Sequence, residues 1–309
     1  MKSMNMLRVA MVVGLMSASV ACSKQSDRSA PATRTAVTAA TPTRPTFARR
    51  RAAIAQGKAA LASGDWETCA RHFELAQAWI DAARCATHTA DLGRAFEDLS
   101  RGLTDLGPGK AAAVGPLRDD PDLKPLVREP RWLAVLGEAE TQRTAYQGHQ
   151  NAELAQLARG AEPAEEPPVA PRLPDPADAK LFAARVPRVA ALLEASGAQT
   201  ADDYFHAALV YYRADNPTDA SRAHELALAG LERAQDSDEL KWLAAAAEDR
   251  QLELESKPQK FGTQLVRRGA HYALWNVDPA LSDAERDKWS VASLAESIAN
   301  AEAGETGTL

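Results

Sequence analysis

The stretch that decides the fold is FARRRAAIAQGKAALASGDWETCARHFELAQAWI, residues 47–80. Its alanine-rich first half ends at Ser63-Gly64, and a glycine commonly ends a helix in this way. Asp65 follows and is a residue type that favours the start of the next helix. The apolar residues after it recur three to four positions apart, at Cys69, Phe73, Ala76 and Ile80. This spacing predicts two consecutive helices, the first over residues 48–62 and the second with one buried face.

The same residues resemble the tetratricopeptide repeat, a pair of helices that stacks in arrays. The matching positions are Gly57, Gly64, Asp65, Trp66, Cys69, Phe73 and Ala76. A second partial copy follows 26 residues later, at Asp91, Ala95, Leu99 and Gly102. Because the usual repeat is about 34 residues long, the first helix of this second copy must be short. The resemblance implies a concave face that binds a peptide or protein partner.

The segment PLRDDPDLKPLVREPRWLAVLG, residues 116–137, resembles the closing segment of short repeat arrays in bacterial proteins. A terminal repeat exposes its last helix and needs such a cover. The resemblance implies that the cover is formed by Leu117, Leu123, Leu126, Trp132 and Leu136.

Residues 1–21 have the parts of an export signal: two basic residues, an apolar run from Val9 to Val20, and small residues before Cys22. They resemble a bacterial lipoprotein leader, which implies cleavage after Ala21, lipid on Cys22 and a membrane-anchored place in the cell envelope, at the outer membrane or the periplasmic face. Cleavage without lipid would instead leave a secreted or periplasmic soluble protein. Residues 22–46 have almost no large apolar side chain, which predicts a disordered tether.

The 309-residue chain has a net charge of −6, and removal of the leader leaves 34 basic and 42 acidic residues, a net charge of −8. This acidity argues against nucleic-acid binding. Two further cysteines, Cys69 and Cys85, can form a disulfide in an exported protein or remain buried thiols. Neither has a second ligand at metal-binding spacing, so we predict no metal site. No cofactor is expected either.

Prolines are concentrated in residues 159–178, which predicts a linker between two domains. The first, residues 47–158, is the repeat-like domain with its closing segment. The second, residues 179–300, has helical patterns and a short β-hairpin around residues 267–270, and residues 301–309 form a disordered tail. The predicted fold class is mainly α: a short TPR-like helical domain plus a second α-helical domain with a small hairpin.

The densest polar motif is KPQKFGTQ, residues 257–264, preceded by Asp249-Arg250 and followed by Asp283 and Arg286. It resembles an uncharacterised bacterial domain family that combines an Asp-Arg pair, a Pro-Gln-x-[Tyr/Phe]-Gly-Thr-Gln string and a late Asp-x-x-Arg. No established activity comes with that family. The candidate binding residues are Arg250, Gln259, Gly262, Thr263 and Gln264.

Two roles fit this motif. Its uncharged donors and acceptors suit a pocket for amide or hydroxyl groups, and they equally suit a buried network that fastens the hairpin to the helix of Asp249. We favour the network, and we expect Asp249 to bond the turn at Gly262, because an unpaired buried carboxylate is costly.

The leading functional hypothesis is a binding or scaffold protein. The alternative is an enzyme, a hydrolase or an amide-processing enzyme, that uses His206 or His224 with Asp249. It requires these side chains to meet Gln264 in one cleft.

Overall fold

A computed structural model describes residues 44–105, 117–160, 176–195, 197–268 and 271–303. The predicted export signal at residues 1–21, the lipidation site Cys22, and most of the predicted tether, linker and tail lie outside these described residues.

The described chain is mainly helical and contains one two-stranded antiparallel sheet, which confirms the predicted fold class. In chain order, the helices are α1 Phe47–Ser63, α2 Trp66–Leu75, α3 Trp79–Thr87, α4 Leu92–Asp105, α5 Arg131–Gln147, α6 Ala152–Ala158, α7 Pro176–Ala195, α8 Ala201–Arg213, α9 Pro217–Leu231, α10 Asp238–Leu254, α11 Asp283–Lys288 and α12 Leu294–Ala303. A 3₁₀ helix spans Lys124–Arg128. Strands β1 Leu265–Arg268 and β2 His271–Leu274 pair with Leu265 opposite Leu274.

Helices α1 to α4 pack in sequence order, each against the next, and share one apolar core. Helix α3 has 9 residues against 17 in α1, so a short helix lies where the resemblance implies one. The expected closing residues are all buried in this first core: Leu117, Leu123, Leu126, Trp132 and Leu136. The five residues that the resemblance implied as a cover are therefore part of the first core.

A second apolar core lies among α8, α9 and α10. Leu154 and Ala158 of α6 are buried in this second core, although they precede the proline-rich segment in sequence. Helix α6 contacts α8, and this contact places it in the second core. The division into two domains stays a prediction, and α6 packs with the part that follows the linker.

Three predicted boundaries shift by a few residues. Helix α7 begins at Pro176, inside the predicted linker, since proline is favourable in the first turn of a helix. Helix α12 continues to Ala303, inside the predicted tail. Arg44, in the predicted tether, donates hydrogen bonds to Asp236 and Asp238, so the ordered chain begins before Phe47.

Side-chain caps start several helices where the sequence predicts them. Asp65 accepts from the amide of Thr68 at the start of α2. Thr200 and Asp203 form a complete capping box at α8. At α10 the cap is Ser237, whose hydroxyl accepts from the amide of Leu240.

None of the described helices is long and apolar enough to span a membrane.

Candidate functional site

The Asp249 carboxylate is the centre of the Gly-Thr-Gln motif. It is fully buried on α10 and accepts hydrogen bonds from the backbone amides of residues 260, 261 and 263, at 2.7–3.2 Å. The Thr263 hydroxyl donates a further bond of 2.8 Å. Because all of these partners are donors, the ionised carboxylate satisfies them. Burial raises the pKa of the Asp249 carboxyl, and the amides of Phe261 and Thr263 oppose that rise.

Gly262 lies at the corner of this turn with φ of +85°. A side-chain Cβ there would be in ordinary contact with Leu274 and Leu294, at 3.6 and 3.8 Å. The positive φ, and not a lack of space, is therefore what favours glycine. The expectation that Asp249 hydrogen-bonds the turn containing Gly262 is confirmed.

Arg286 of α11 binds the opposite, carbonyl side of the same turn. Its guanidinium donates to the carbonyl oxygens of Phe261 at 3.0 Å and Lys260 at 3.2 Å, and it is almost fully buried. The backbone amides of the turn thus donate to a carboxylate, and its carbonyl oxygens accept from a guanidinium. The sequence placed Arg286 in the Asp-x-x-Arg pattern, but it offered no reason to pair this arginine with the turn.

Two glutamine side chains complete the network. The Gln259 amide nitrogen donates to the carbonyls of Gln264 and Trp275, at 3.1 and 2.9 Å, and its oxygen accepts from the Gln264 amide at 2.8 Å. The Gln264 side-chain nitrogen donates to the carbonyl of Ala246 at 3.0 Å and to the Tyr212 hydroxyl at 3.2 Å. Both glutamines are buried, so the motif joins α10, the turn and the hairpin.

Arg250 points elsewhere. It is buried and pairs with Asp215 and, at 2.5 Å, with Glu253. It therefore fastens the end of α8 to α10 and does not contact the 260–263 turn, in contrast to its expected place among the binding residues.

The two candidate catalytic histidines lie on α8 and α9, whereas the donors to Asp249 among the described residues belong to the 260–263 turn. The Nδ1 atom of His224 lies 2.8 Å from the carbonyl oxygen of Ala244, and His206 lies within electrostatic range of Asp202 on its own helix. Ala244 and Ala246, the contacts of His224 and Gln264, are about 200° apart around α10. Among the described residues, the cleft that the enzyme hypothesis requires is therefore not assembled.

Cys69 on α2 and Cys85 on α3 are buried and joined by a disulfide, with Cα atoms 5.9 Å apart. This distance is in the usual range for disulfides. In the described part of the chain, no cluster of three or more His, Cys, Asp or Glu side chains could hold a metal ion.

Sequence reasoning missed a pair of neighbouring acidic side chains, a buried one and a half-buried one, next to the first core. Asp98 of α4 is buried beside Glu74, which accepts a 2.6 Å bond from Arg94. Burial raises the pKa of Asp98 to about 7, and the charge of Glu74 adds to the rise. The apolar residues of α4 recur three to four positions apart without position 98, at Leu92, Ala95, Leu99 and Leu103, so no sequence signal marked Asp98.

A groove of about 240 Å³ lies between α4 and α5. Its lining residues are Phe96, Glu97, Ser100, Arg101, Arg131 and Val135. The Arg131 guanidinium lies 4.5 Å from the centre of the Phe96 ring, and that of Arg101 lies 5.3 Å from the Trp79 ring. Neither arginine forms an ion pair with another described residue. No sequence motif marks this groove, because α4 and α5 are joined by a long connection.

No protein-family model, curated protein or solved structure matches this chain. The likenesses to lipoproteins, to the tetratricopeptide repeat and to the Gly-Thr-Gln family therefore stay predictions.

Proposed function

We propose that this chain is a cell-envelope lipoprotein whose helical-repeat part, residues 47–158, binds a peptide or protein partner. The observation that supports binding is the groove between α4 and α5. It combines an apolar wall, from Phe96 and Val135, with the guanidinium groups of Arg101 and Arg131. Both cations lie against aromatic rings, an arrangement that limits their freedom before a ligand arrives.

The size of the groove favours a peptide over a small molecule. Its volume of about 240 Å³ is below the roughly 300–1,000 Å³ of typical small-molecule sites. A groove of this size accommodates one or two side chains, and the two guanidinium groups can bond backbone carbonyls or carboxylates of a peptide.

The C-terminal polar motif supports the same proposal by exclusion. Asp249, Gln259 and Gln264 are buried and hydrogen-bonded to the protein itself. Groups held in this way are not available to a substrate, so the motif is best explained as architecture.

The proposed location rests on the leader and on Cys22. A lipid there and a tether to about residue 43 would hold the folded part near a membrane while the groove stays accessible.

Selection from a random peptide library tests the proposed binding. The mature chain, with Cys22→Ser so that it stays in solution, is the target, and the affinities of enriched peptides are measured by fluorescence anisotropy. We expect Arg131→Glu to weaken binding at least tenfold, because it places a negative charge in the groove.

Arg128→Glu is the matched control, since it makes the same charge change three residues away, on a residue that does not line the groove. We expect it to change affinity less than twofold. A library that yields no binding peptide would refute the binding function. Peptides that bind Arg131→Glu as well as the unaltered chain would show that another surface is used.

A further inference from the structure

The start of α1 is held by the C-terminal part of the chain. The two carboxylate oxygens of Asp287 accept from the amides of Phe47 at 3.3 Å and Ala48 at 2.6 Å. The first amides of a helix have no partner inside the helix, and a carboxylate is a favourable partner at that end. Here that partner comes from 240 residues further along the chain.

Arg50 makes the strongest contact of the same junction. Its guanidinium donates to both oxygens of Asp238, at 2.6 and 2.5 Å, and the exposed fractions of these side chains are 9% and 14%. Asp238 also accepts from the Ser290 hydroxyl at 2.7 Å and from Arg44 at 3.1 Å. This ion pair is largely shielded from solvent, and hydrogen bonds fix its geometry. Under these two conditions an ion pair is strong.

A third pair joins Arg51 to Glu296 at 2.8 Å. Residues 44–51 contain four arginines, and three of them pair with acidic groups of the C-terminal part. Arg49 is exposed and forms no ion pair with a described residue. The two apolar cores are separate clusters, and within residues 44–51 the buried apolar side chain is that of Phe47, beside the three ion pairs.

We propose that residues 44–51 are an ionic latch that closes on the acidic patch of Asp238, Asp287 and Glu296 and opens as ionic strength rises. The closed latch fixes the helical-repeat part against the C-terminal part. Opening frees these eight residues, which extend by at most about 26–29 Å. The latch overlaps the last three residues of the predicted tether, so its opening would lengthen the connection to a membrane anchor. The latch consists of contacts within the described chain and does not require a lipid on Cys22.

Hydrogen exchange measured by mass spectrometry on the mature chain with Cys22→Ser tests the latch. In Arg50→Glu, the amides of residues 47–51 should exchange at least tenfold faster than in the unaltered chain, because Asp238 then repels residue 50. Arg49→Glu is the matched control, with the same charge change one residue away, and should stay within twofold. In the unaltered chain, a rise from 0.05 to 1 M NaCl should accelerate the same amides at least threefold, since salt screens the two more exposed pairs, Arg44–Asp238 and Arg51–Glu296.

Equal exchange of residues 47–51 in Arg50→Glu and Arg49→Glu would overturn the latch. If the amides of both cores exchange fast in Arg50→Glu, this variant has unfolded and cannot test the latch. The salt series on the unaltered chain is then the test of the latch. Exchange of residues 47–51 that does not respond to salt would then overturn the proposal.

Discussion

At the scale of single residues, Asp249 is the group on which the C-terminal part most depends. Its carboxylate satisfies three amides and one hydroxyl of the 260–263 turn. We expect Asp249→Ala to lower the free energy of unfolding by about 3 kcal/mol or more, because several buried donors lose their acceptor. Urea unfolding followed by circular dichroism measures this loss.

Glu248→Ala is the control for this change. Glu248 is the neighbouring acidic residue and pairs only with the exposed end of Lys260. Its removal should cost less than about 1 kcal/mol, as is usual for surface pairs. Equal losses in the two variants would contradict an architectural role for the motif.

Asp98 should make stability depend on pH. Burial raises its pKa to about 7 in the folded chain, whereas an unfolded aspartate has a pKa of about 3.9. Between these values, the unfolded chain has released a proton that the folded chain keeps, so stability from this group falls as pH rises from about 4 to 7. Above about pH 7, where Asp98 is ionised in the folded chain as well, the whole cost of burying its charge lowers the free energy of unfolding.

Asp98→Asn removes this titration. We expect the melting temperature of the variant, relative to the unaltered chain, to be higher at pH 8 than at pH 5. Thermal melts of both proteins at the two pH values measure this difference. A melting-temperature difference that is the same at both pH values would show that Asp98 stays ionised in the folded chain.

At the scale of elements, the disulfide joins α2 to α3. The closed loop spans 16 residues, and a loop of this size stabilises a fold by roughly 3 kcal/mol in the chain-entropy model. Both cysteines are buried in the first core.

We expect the chain, alkylated without reductant and analysed by mass spectrometry, to carry no alkyl group on Cys69 or Cys85. Reductant should lower its melting temperature. Two alkylated thiols in protein taken from the envelope would show that these helices pack through free cysteines.

The sequence predicted those elements whose cause is local. The cap at Asp65 follows from a residue type that stands directly before its helix, whereas the leucines of the closing segment were expected only from a resemblance. Asp249 was also predictable, since a carboxylate on an apolar helix face needs a partner nearby. The contacts of Arg286 with the turn and of Arg50 with Asp238 were not, because those partners are set by tertiary packing. The same holds for the α4–α5 groove.

At the scale of the whole molecule, the lipid on Cys22 is the proposed link to the envelope. Cys22→Ala removes the residue that would carry it. We expect this variant to move from the membrane fraction to the soluble fraction of the cell, as measured by immunoblotting after centrifugation. Membrane association equal to that of the unaltered chain would contradict lipid anchoring.

The two halves of the described chain have different roles in this account. The C-terminal part uses its polar motif to hold its own turn and hairpin in place, and the helical-repeat part offers the groove with unpaired arginines. Binding of a partner in the groove should therefore leave the conformation of the Gly-Thr-Gln motif, residues 257–264, unchanged.

Hydrogen exchange of the mature chain, with and without a peptide selected from the library, tests this division most directly. The account predicts slower exchange in α4 and at the start of α5 and no change over residues 249–286. Protection by the peptide over residues 249–286, with none in α4 and α5, would contradict it, because the polar motif would then be the binding site.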